Sequence, residues 1–178
     1  MKKFFSLLIA SAFLYACNTP KPETPDTTEA TAKPGKVEFA DEKYIAIGQK
    51  SLSQLAQGDV DGFVADYADN AVFSWSSGDS LANKEAITTY WKDRRTNVID
   101  TIAYDREIWL PVKANQTPPA LGIWLLGWAR FDVKYANGQS VKMWIHHAFH
   151  FNNADKIDIA IQYVDRAPIA AALAKKKK

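Results

Sequence analysis

The chain has 178 residues, of which 47% are hydrophobic and 24% are charged, and its formal net charge is +2 at pH 7. This size and composition fit one globular domain with flanking segments. Six of the 22 Lys and Arg residues lie at the two ends, as Lys2, Lys3 and residues 175–178, which leaves 16 basic against 20 acidic residues. The chain therefore lacks the basic field of a nucleic-acid-binding protein, and we expect no nucleic-acid partner.

The start of the chain has the pattern of a bacterial lipoprotein signal. Positive residues precede an apolar run from Phe4 to Leu14, which at about eleven residues is too short to span a bilayer. Residues 14–17 then read Leu-Tyr-Ala-Cys, which is typical of a lipobox cleaved before Cys17. A plain secretory signal that ends in cysteine is the alternative. We expect removal of residues 1–16, lipidation of Cys17 and anchoring to a membrane of the cell envelope, in a periplasmic or outer-membrane-associated position.

The flanking segments differ from the middle of the chain in composition. Residues 17–40 are rich in Pro, Thr, Lys and Glu and have almost no large apolar residue before Val37, which predicts a disordered tether. Residues 41–174 form the predicted domain, and residues 175–178 form a lysine tail that is either solvated or in contact with anionic lipid. Cys17 is the only cysteine, so its lipidation leaves no thiol for a disulfide, a metal or a nucleophile.

Three helices are predicted in the first half of the domain, from apolar spacing and from caps. The first runs from Asp41 to Gln57 and ends at Gly58, and Asp59 caps the second, which places Phe63 and Tyr67 on one face. Asn83 caps the third, in which Ile87, Tyr90, Trp91 and Arg94 lie at helical spacing. The remaining predictions are a strand at 71–75, a strand at 99–112 with Pro111 as its end signal, and a terminal helix at 167–173.

The stretch from Leu121 to Asp165 predicts an antiparallel meander, because three runs rich in β-branched and aromatic residues are separated by two turn signals. A two-residue turn at Asn137-Gly138 would place Phe131 opposite Trp144 and Ala129 opposite His146. A turn at Ala154-Asp155 would then place His146 opposite Tyr163 and Trp144 opposite Asp165. A slip of one residue in either turn would move these side chains to the other face.

This register predicts two apolar sheet faces with different uses. One face mixes Gly127, Ala129 and Ala148 with larger side chains and is the predicted pocket wall, formed by Phe131, Trp144, His146, His150 and Tyr163. The other face, with Trp124, Trp128 and Ile145, is the predicted homodimer contact. Alternation places His147 away from His146, so we expect no metal site, and no motif indicates a cofactor.

Three segments resemble the nuclear transport factor 2-like superfamily, in particular its SnoaL-like branch. They are GDVDGFVADYADNAVF (Gly58 to Phe73), NKEAITTYW (Asn83 to Trp91) and KIDIAIQYVDRAPIAAAL (Lys156 to Leu173). The resemblance implies an α+β fold in which a cone-shaped, curved antiparallel sheet packs against three N-terminal helices, as in cystatin-like cones. It also implies a conical pocket and a dimer through the outer sheet face. Enzymes of the superfamily, such as ketosteroid isomerases, scytalone dehydratase and polyketide cyclases, place Asp, His or Tyr on the pocket wall, whereas other members have apolar walls.

The candidate catalytic residues are His146, Tyr163 and Asp165. His146 has the chemistry of a general acid or base, Tyr163 that of a donor to a developing oxyanion, and Asp165 occupies the place of an acid used in some cyclases. Alternatively, Asp165 caps the terminal helix or pairs with Arg166 or Arg130. Further candidates for ligand binding are Trp144, His150, Phe131, Tyr90 and Tyr67, of which Tyr90 equally suits core packing.

The expected function is that of a lipid-anchored envelope protein whose pocket binds a small, largely apolar molecule. One alternative is a proton-transfer enzyme of the isomerase, dehydratase or cyclase type, which in the isomerase pattern would need an inward-facing Asp such as Asp66 or Asp69. Another is a non-catalytic dimeric interaction domain. The fold alone does not choose among these functions, because it hosts unrelated chemistries.

Overall fold

The computed structural model describes residues 36–115 and 121–175. The signal segment, Cys17 and most of the tether lie outside these residues, so the predictions made for them are untested. Within the described ranges, no helix is long and apolar enough to cross a membrane.

Within residues 36–115 and 121–175, seven strands and four α-helices form an α+β fold, as predicted. The strands make one curved, unclosed sheet in the order β1-β4-β5-β6-β7-β2-β3, and all neighbours are antiparallel except β2 and β7. In chain order the elements are β1 (Val37–Phe39), α1 (Lys43–Gln57), α2 (Val60–Phe63), β2 (Tyr67–Trp75), β3 (Ser80–Ala82), α3 (Lys84–Asp93), a π-helical turn (Arg94–Val98), β4 (Ile99–Ala114), β5 (Gly122–Tyr135), β6 (Ser140–Phe151), β7 (Ile157–Tyr163) and α4 (Arg166–Ala174).

The residues predicted to end and to cap the helices make the expected hydrogen bonds with the backbone. Gly58 ends α1 in the left-handed conformation, with φ of 84°, and its N–H donates to the last carbonyls of the helix. Asp59 Oδ1 accepts from Gly62 N at 2.8 Å, and Asn83 Oδ1 accepts from Ala86 N at 2.9 Å. These predicted caps are therefore confirmed.

Helix α1 packs on the sheet through a slot for one indole ring. Trp109 on β4 lies between Gly48 of α1 and Gly127 of β5, and a Cβ on Gly127 would lie 2.2 Å from the indole Cζ3. The two glycines let helix and sheet approach closely. Helix α1 therefore covers the end of β4 and the start of β5, which leaves the other end of this strand pair to α3 and α4.

The hairpin between β5 and β6 differs from the predicted one by one residue. Residues 136–138 form its loop, Tyr135 N donates to Gln139 O at 2.8 Å, and Trp128 pairs with His146. A two-residue type I′ turn needs positive φ at both central residues. Only Gly138 has it, with φ of 84°, so the chain takes a three-residue loop and every predicted pair across this hairpin is wrong.

The second hairpin has the predicted register. His146 pairs with Tyr163, and His150 pairs with Ile159. Strand β7 ends at Tyr163, so the predicted pairing of Trp144 with Asp165 does not form. The shared face of β6 and β7 is therefore as predicted, whereas the residues that β5 contributes to it are not.

Three predicted boundaries also change. Tyr67 opens β2 and is not part of α2, because that helix is a single turn ending at Phe63. Strand β4 continues through Pro111, whose carbonyl accepts from Ala40 N at 3.0 Å. The missing N–H of Pro111 faces the same side, just past the end of β1, so it disrupts no ladder bond. Strand β1 itself lies in the segment predicted as tether.

Candidate functional site

The shifted hairpin exchanges the predicted faces of the sheet. Residues on the inner face, toward the helices, include Phe131, Ile145 and His147, which are all buried. Trp144 and Tyr163 lie on the outer face, and each is 47% exposed. The prediction that Trp144, His146 and Tyr163 line the pocket is therefore wrong, and so is the placement of Ile145 on the outer face.

His146 and His150 both make contacts on the outer side of the sheet. His146 Nδ1 lies 2.9 Å from Gly127 O, and its ring stacks between those of Trp128 and Tyr163. His150 Nδ1 lies 2.5 Å from Asp158 Oδ1. Since His147 is on the inner face, the three histidines do not converge, as alternation predicts for His146 and His147.

Asp165 is a helix cap, which was the alternative to its predicted role as a catalytic acid. Its Oδ1 accepts from Ala167 N at 2.9 Å and caps α4. Neither arginine considered for it is its partner, because Arg166 pairs with Asp79 and Arg130 pairs with Asp105. Asp165 therefore positions the helix that closes one side of the cavity described next.

The concave face of the sheet encloses a cavity of about 230 Å³, bounded by α3, the π-helical turn and α4. Its walls combine aromatic and aliphatic side chains with one amide and two guanidinium groups. The lining residues are Trp75, Tyr90, Trp91, Arg94, Ile99, Ile102, Tyr104, Phe131, Val133, Tyr135, Ile145, Gln162, Val164, Arg166, Ile169, Ala170 and Leu173. Two of the predicted binding residues, Tyr90 and Phe131, are among them.

Aromatic rings form one wall of the cavity. The ring centroids of Trp75 and Tyr90 are 5.1 Å apart, and those of Tyr90 and Trp91 are 5.3 Å apart with their planes at 88°. Tyr104 and Tyr135 face them from β4 and β5. Such walls suit a flat apolar molecule, because rings stack or meet edge to face at these separations.

The floor of the cavity includes a buried amide. Gln162 Oε1 accepts from Trp75 Nε1 at 2.9 Å. Beneath Gln162 and Trp91 lies a separate void of about 10 Å³, which is also lined by Tyr67 and His147. Tyr67, a predicted ligand-binding residue, is therefore beneath the cavity and not on its wall.

The polar groups around this small void carry no charge near neutral pH. Burial lowers the pKa of His147 to about 3, and the neighbouring His146 acts in the same direction. Burial also raises the pKa of Tyr67 far above its usual value. His147 Nε2, Tyr67 Oη and Trp91 Nε1 have no hydrogen-bond partner among the described residues.

Sequence reasoning missed Arg94, Tyr104, Tyr135 and Gln162 as lining residues. Helical spacing did place Arg94 on one helix with Tyr90, but that pattern does not show which way a side chain points after the helix ends. Tyr104 precedes a β-bulge between Asp105 and Ile108, which breaks the alternation on which a face assignment depends. Gln162 was missed because the wrong turn type in the first hairpin exchanged the two faces of the sheet and so placed this side of β7 on the outer face.

A curved sheet wrapped around helices with a cavity on its concave side defines the class of nuclear transport factor 2-like α+β cones. The chain has this fold, as the motif resemblance implied. The sequence matches no protein-family model and no curated protein. The likeness to solved structures is thus one of fold.

Three solved structures illustrate this likeness. A nuclear transport factor 2-like protein of unknown function from Burkholderia pseudomallei is 14% identical, with a TM-score of 0.58 over 74% of this chain and 97% of its own. A candidate polyketide cyclase from Xanthomonas campestris is 11% identical, with a TM-score of 0.57 over 75% and 98%. A candidate isomerase from Bacillus subtilis is 13% identical, with a TM-score of 0.59 over 77% and 97%. The fold therefore accommodates several chemistries, and the site decides the function.

Proposed function

We propose that this domain binds a small, largely apolar molecule in the cavity between its sheet and α3, and that acylated Cys17 anchors it to the cell envelope. The composition of the lining supports binding. Among the described residues that line the cavity, none is Asp, Glu or His. The cavity is smaller than the roughly 300–1,000 Å³ of sites for drug-sized ligands, which favours a compact molecule of no more than a few rings.

Proton transfer near neutral pH would need a group that titrates there. The titratable groups of the lining are tyrosines and arginines, which ordinarily titrate far above neutral pH. Burial raises the pKa of Tyr104 further. Asp66, one of the two carboxylates considered for an isomerase, faces Lys50 at 3.2 Å and Lys156 at 3.7 Å instead. The lining therefore favours binding over isomerase-type chemistry.

The open cavity also supports a binding role over a purely structural one. A domain that served only as an interaction platform would gain stability by filling its interior, because empty space forfeits packing contacts. Here large rings surround the space without filling it. The position of Cys17 in a lipobox, followed by a polar segment, supports a tethered domain at a membrane surface.

Two neighbouring alanines on α4 provide a matched test. Ala170 lines the cavity, whereas Ala171 faces a surface groove beside Trp144. The mature chain from residue 17 onward with Cys17→Ser, which carries no acyl chain, is titrated with the neutral fluorophore N-phenylnaphthylamine. We expect the fluorophore to bind this protein and its Ala171→Trp variant, and to lose most of its affinity for the Ala170→Trp variant. Equal binding by the two tryptophan variants would show that the cavity is not the site.

A further inference from the structure

The charged side chains that line the cavity indicate which charge its ligand carries. Two guanidinium groups line it, from Arg94 and Arg166, and no carboxylate does so among the described residues. Arg166 is neutralised, because its Nη1 lies 2.5 Å from Asp79 Oδ2 and donates to Ser77 Oγ at 2.8 Å. The guanidinium of Arg94 makes no hydrogen bond or ion pair with any described group, so its positive charge is uncompensated.

The other arginine of the π-helical turn, Arg95, does have partners, so an unpaired guanidinium is not a general property of this turn. Arg95 Nη1 donates to Ile99 O at 3.2 Å, and its Nη2 donates to Ala56 O at 3.3 Å, so this side chain ties the turn to α1. Arg94 points the other way, to the cavity. Its guanidinium lies 5.9 Å from the centroid of the Tyr90 ring, and the residue as a whole is half-buried. A π-helical turn commonly marks a functional site, because it redirects side chains that a regular helix would place elsewhere.

A second donor lines the cavity together with Arg94. Tyr135 is 3% exposed and lines the same cavity. Burial raises the pKa of its hydroxyl, and the positive charge of Arg94 opposes that rise. A planar guanidinium with a neighbouring hydroxyl is suited to bind a carboxylate or a similar anionic group.

We propose that the ligand of this cavity is a flat, apolar anion whose ring system lies between the aromatic walls and whose anionic oxygens contact Arg94. This inference depends on the proposed binding function and specifies its ligand class. Aromatic walls alone would equally suit an organic cation, but the positive charge of Arg94 disfavours a cation here. Carboxylate, sulfonate and phenolate ligands share the required chemistry.

Two probes with one ring system separate charge recognition from apolar binding. Anilinonaphthalene sulfonate has the ring system of N-phenylnaphthylamine and adds a sulfonate. With the mature chain carrying Cys17→Ser, we expect the sulfonate probe to bind at least about tenfold more tightly than the neutral one, because a hydrogen bond between charged groups is stronger than one between neutral groups. Only binding that Ala170→Trp removes is counted, because exposed rings on the outer sheet face also attract such dyes.

Replacement of Arg94 then tests the residue itself. Arg94→Gln should abolish the preference for the sulfonate and leave the affinity for the neutral probe unchanged. Arg106→Gln, which removes the same charge at an exposed position outside the cavity lining, should leave both affinities unchanged. Circular dichroism checks that each variant is folded.

Each possible result decides the question. An unchanged preference in Arg94→Gln, or an equal loss of both probes, overturns the anion inference, whereas sensitivity of the neutral probe to Ala170→Trp still supports the proposed binding function. If Arg94→Gln does not fold, the parent protein decides: equal affinity for the two probes overturns the inference, and a preference that fades as salt is added supports it. If Ala170→Trp affects neither probe, the binding function and the ligand class both fail.

Discussion

The imidazole of His146 stacks on the indole of Trp128, with ring centroids 4.6 Å apart and planes 25° apart. On its other side His146 stacks on Tyr163 at 5.4 Å. A ladder of three rings therefore crosses β5, β6 and β7 on the outer face of the sheet. Trp144 is 47% exposed and Ile108 on β4 is 56% exposed, so apolar surface extends along this face.

We predict that this outer face joins two copies of the chain in a homodimer. An apolar sheet face of this kind is stabilised by a second, identical face related by a two-fold axis. Trp128→Glu places a charge at one end of the ladder, within the apolar face, and should yield monomers in light scattering. Thr89→Glu adds the same charge at an exposed position on α3 and should leave the dimer intact. A parent protein that stays monomeric at high micromolar concentration would contradict the prediction.

Local chemistry made much of the fold predictable. Gly58, Asp59 and Asn83 act on backbone groups within a few residues of themselves, so their effect follows from the sequence at that point. The strands of the meander are likewise long enough to be recognised by composition. Elements set by neighbours along the chain were therefore predicted correctly, apart from their ends.

The register and the site depend on distant contacts. Asn137 Nδ2 donates to Ala172 O at 2.9 Å and to Lys175 O at 2.8 Å, so the tip of the first hairpin is tied to the end of α4. Asn137-Gly138 as a dipeptide carries no sign of that contact. In β4 a bulge after Asp105 brings Tyr104 and Trp109 to the same face despite their odd spacing. The cavity lining depends on both features, which is why the predicted site residues were mostly wrong.

The slot around Trp109 predicts a specific loss of stability. Gly127→Ala would place a methyl group 2.2 Å from the indole, and with Gly48 on the opposite side the ring has little room to move. We expect destabilisation by about 1–3 kcal/mol in denaturant unfolding, as for other overpacked cores. Trp109→Leu should remove most of the added cost in the double variant, even though it is destabilising by itself. Additive effects of the two changes would show that the ring is not the cause.

The lipobox-like sequence at residues 14–17 predicts how the chain begins after processing. Mass spectrometry of the protein from its native membranes should find an amino terminus at Cys17 that carries acyl chains. Cys17→Ser removes the acceptor sulfur, so this variant should retain residues 1–16 and incorporate no lipid. An unmodified Cys17 in the parent protein, or cleavage at another residue, would support the alternative of an ordinary secretory signal.

The pH dependence of stability should report on His147. Its pKa is lowered from 6.5 to about 3 in the folded protein, so between these values the unfolded chain binds a proton that the folded chain does not. Unfolding therefore becomes easier as the pH falls, and the contribution is fully present only above pH 6.5. At pH 5 the loss amounts to roughly 2 kcal/mol from this residue, at about 1.4 kcal/mol for each pH unit below the usual pKa.

His147→Gln removes this titration while keeping a polar side chain at the site. Denaturant unfolding of both proteins at pH 7.5 and pH 5 then separates the histidine from the carboxylates, which contribute equally to both and cancel in the difference. The variant should be the less stable protein at pH 7.5, because its side chain does not match the packed shape around the imidazole. Its disadvantage should shrink by roughly 2 kcal/mol at pH 5. A constant difference between the two proteins would mean that His147 takes up its proton in the folded state, and that the inner face of the sheet is less well shielded from water than its packing indicates.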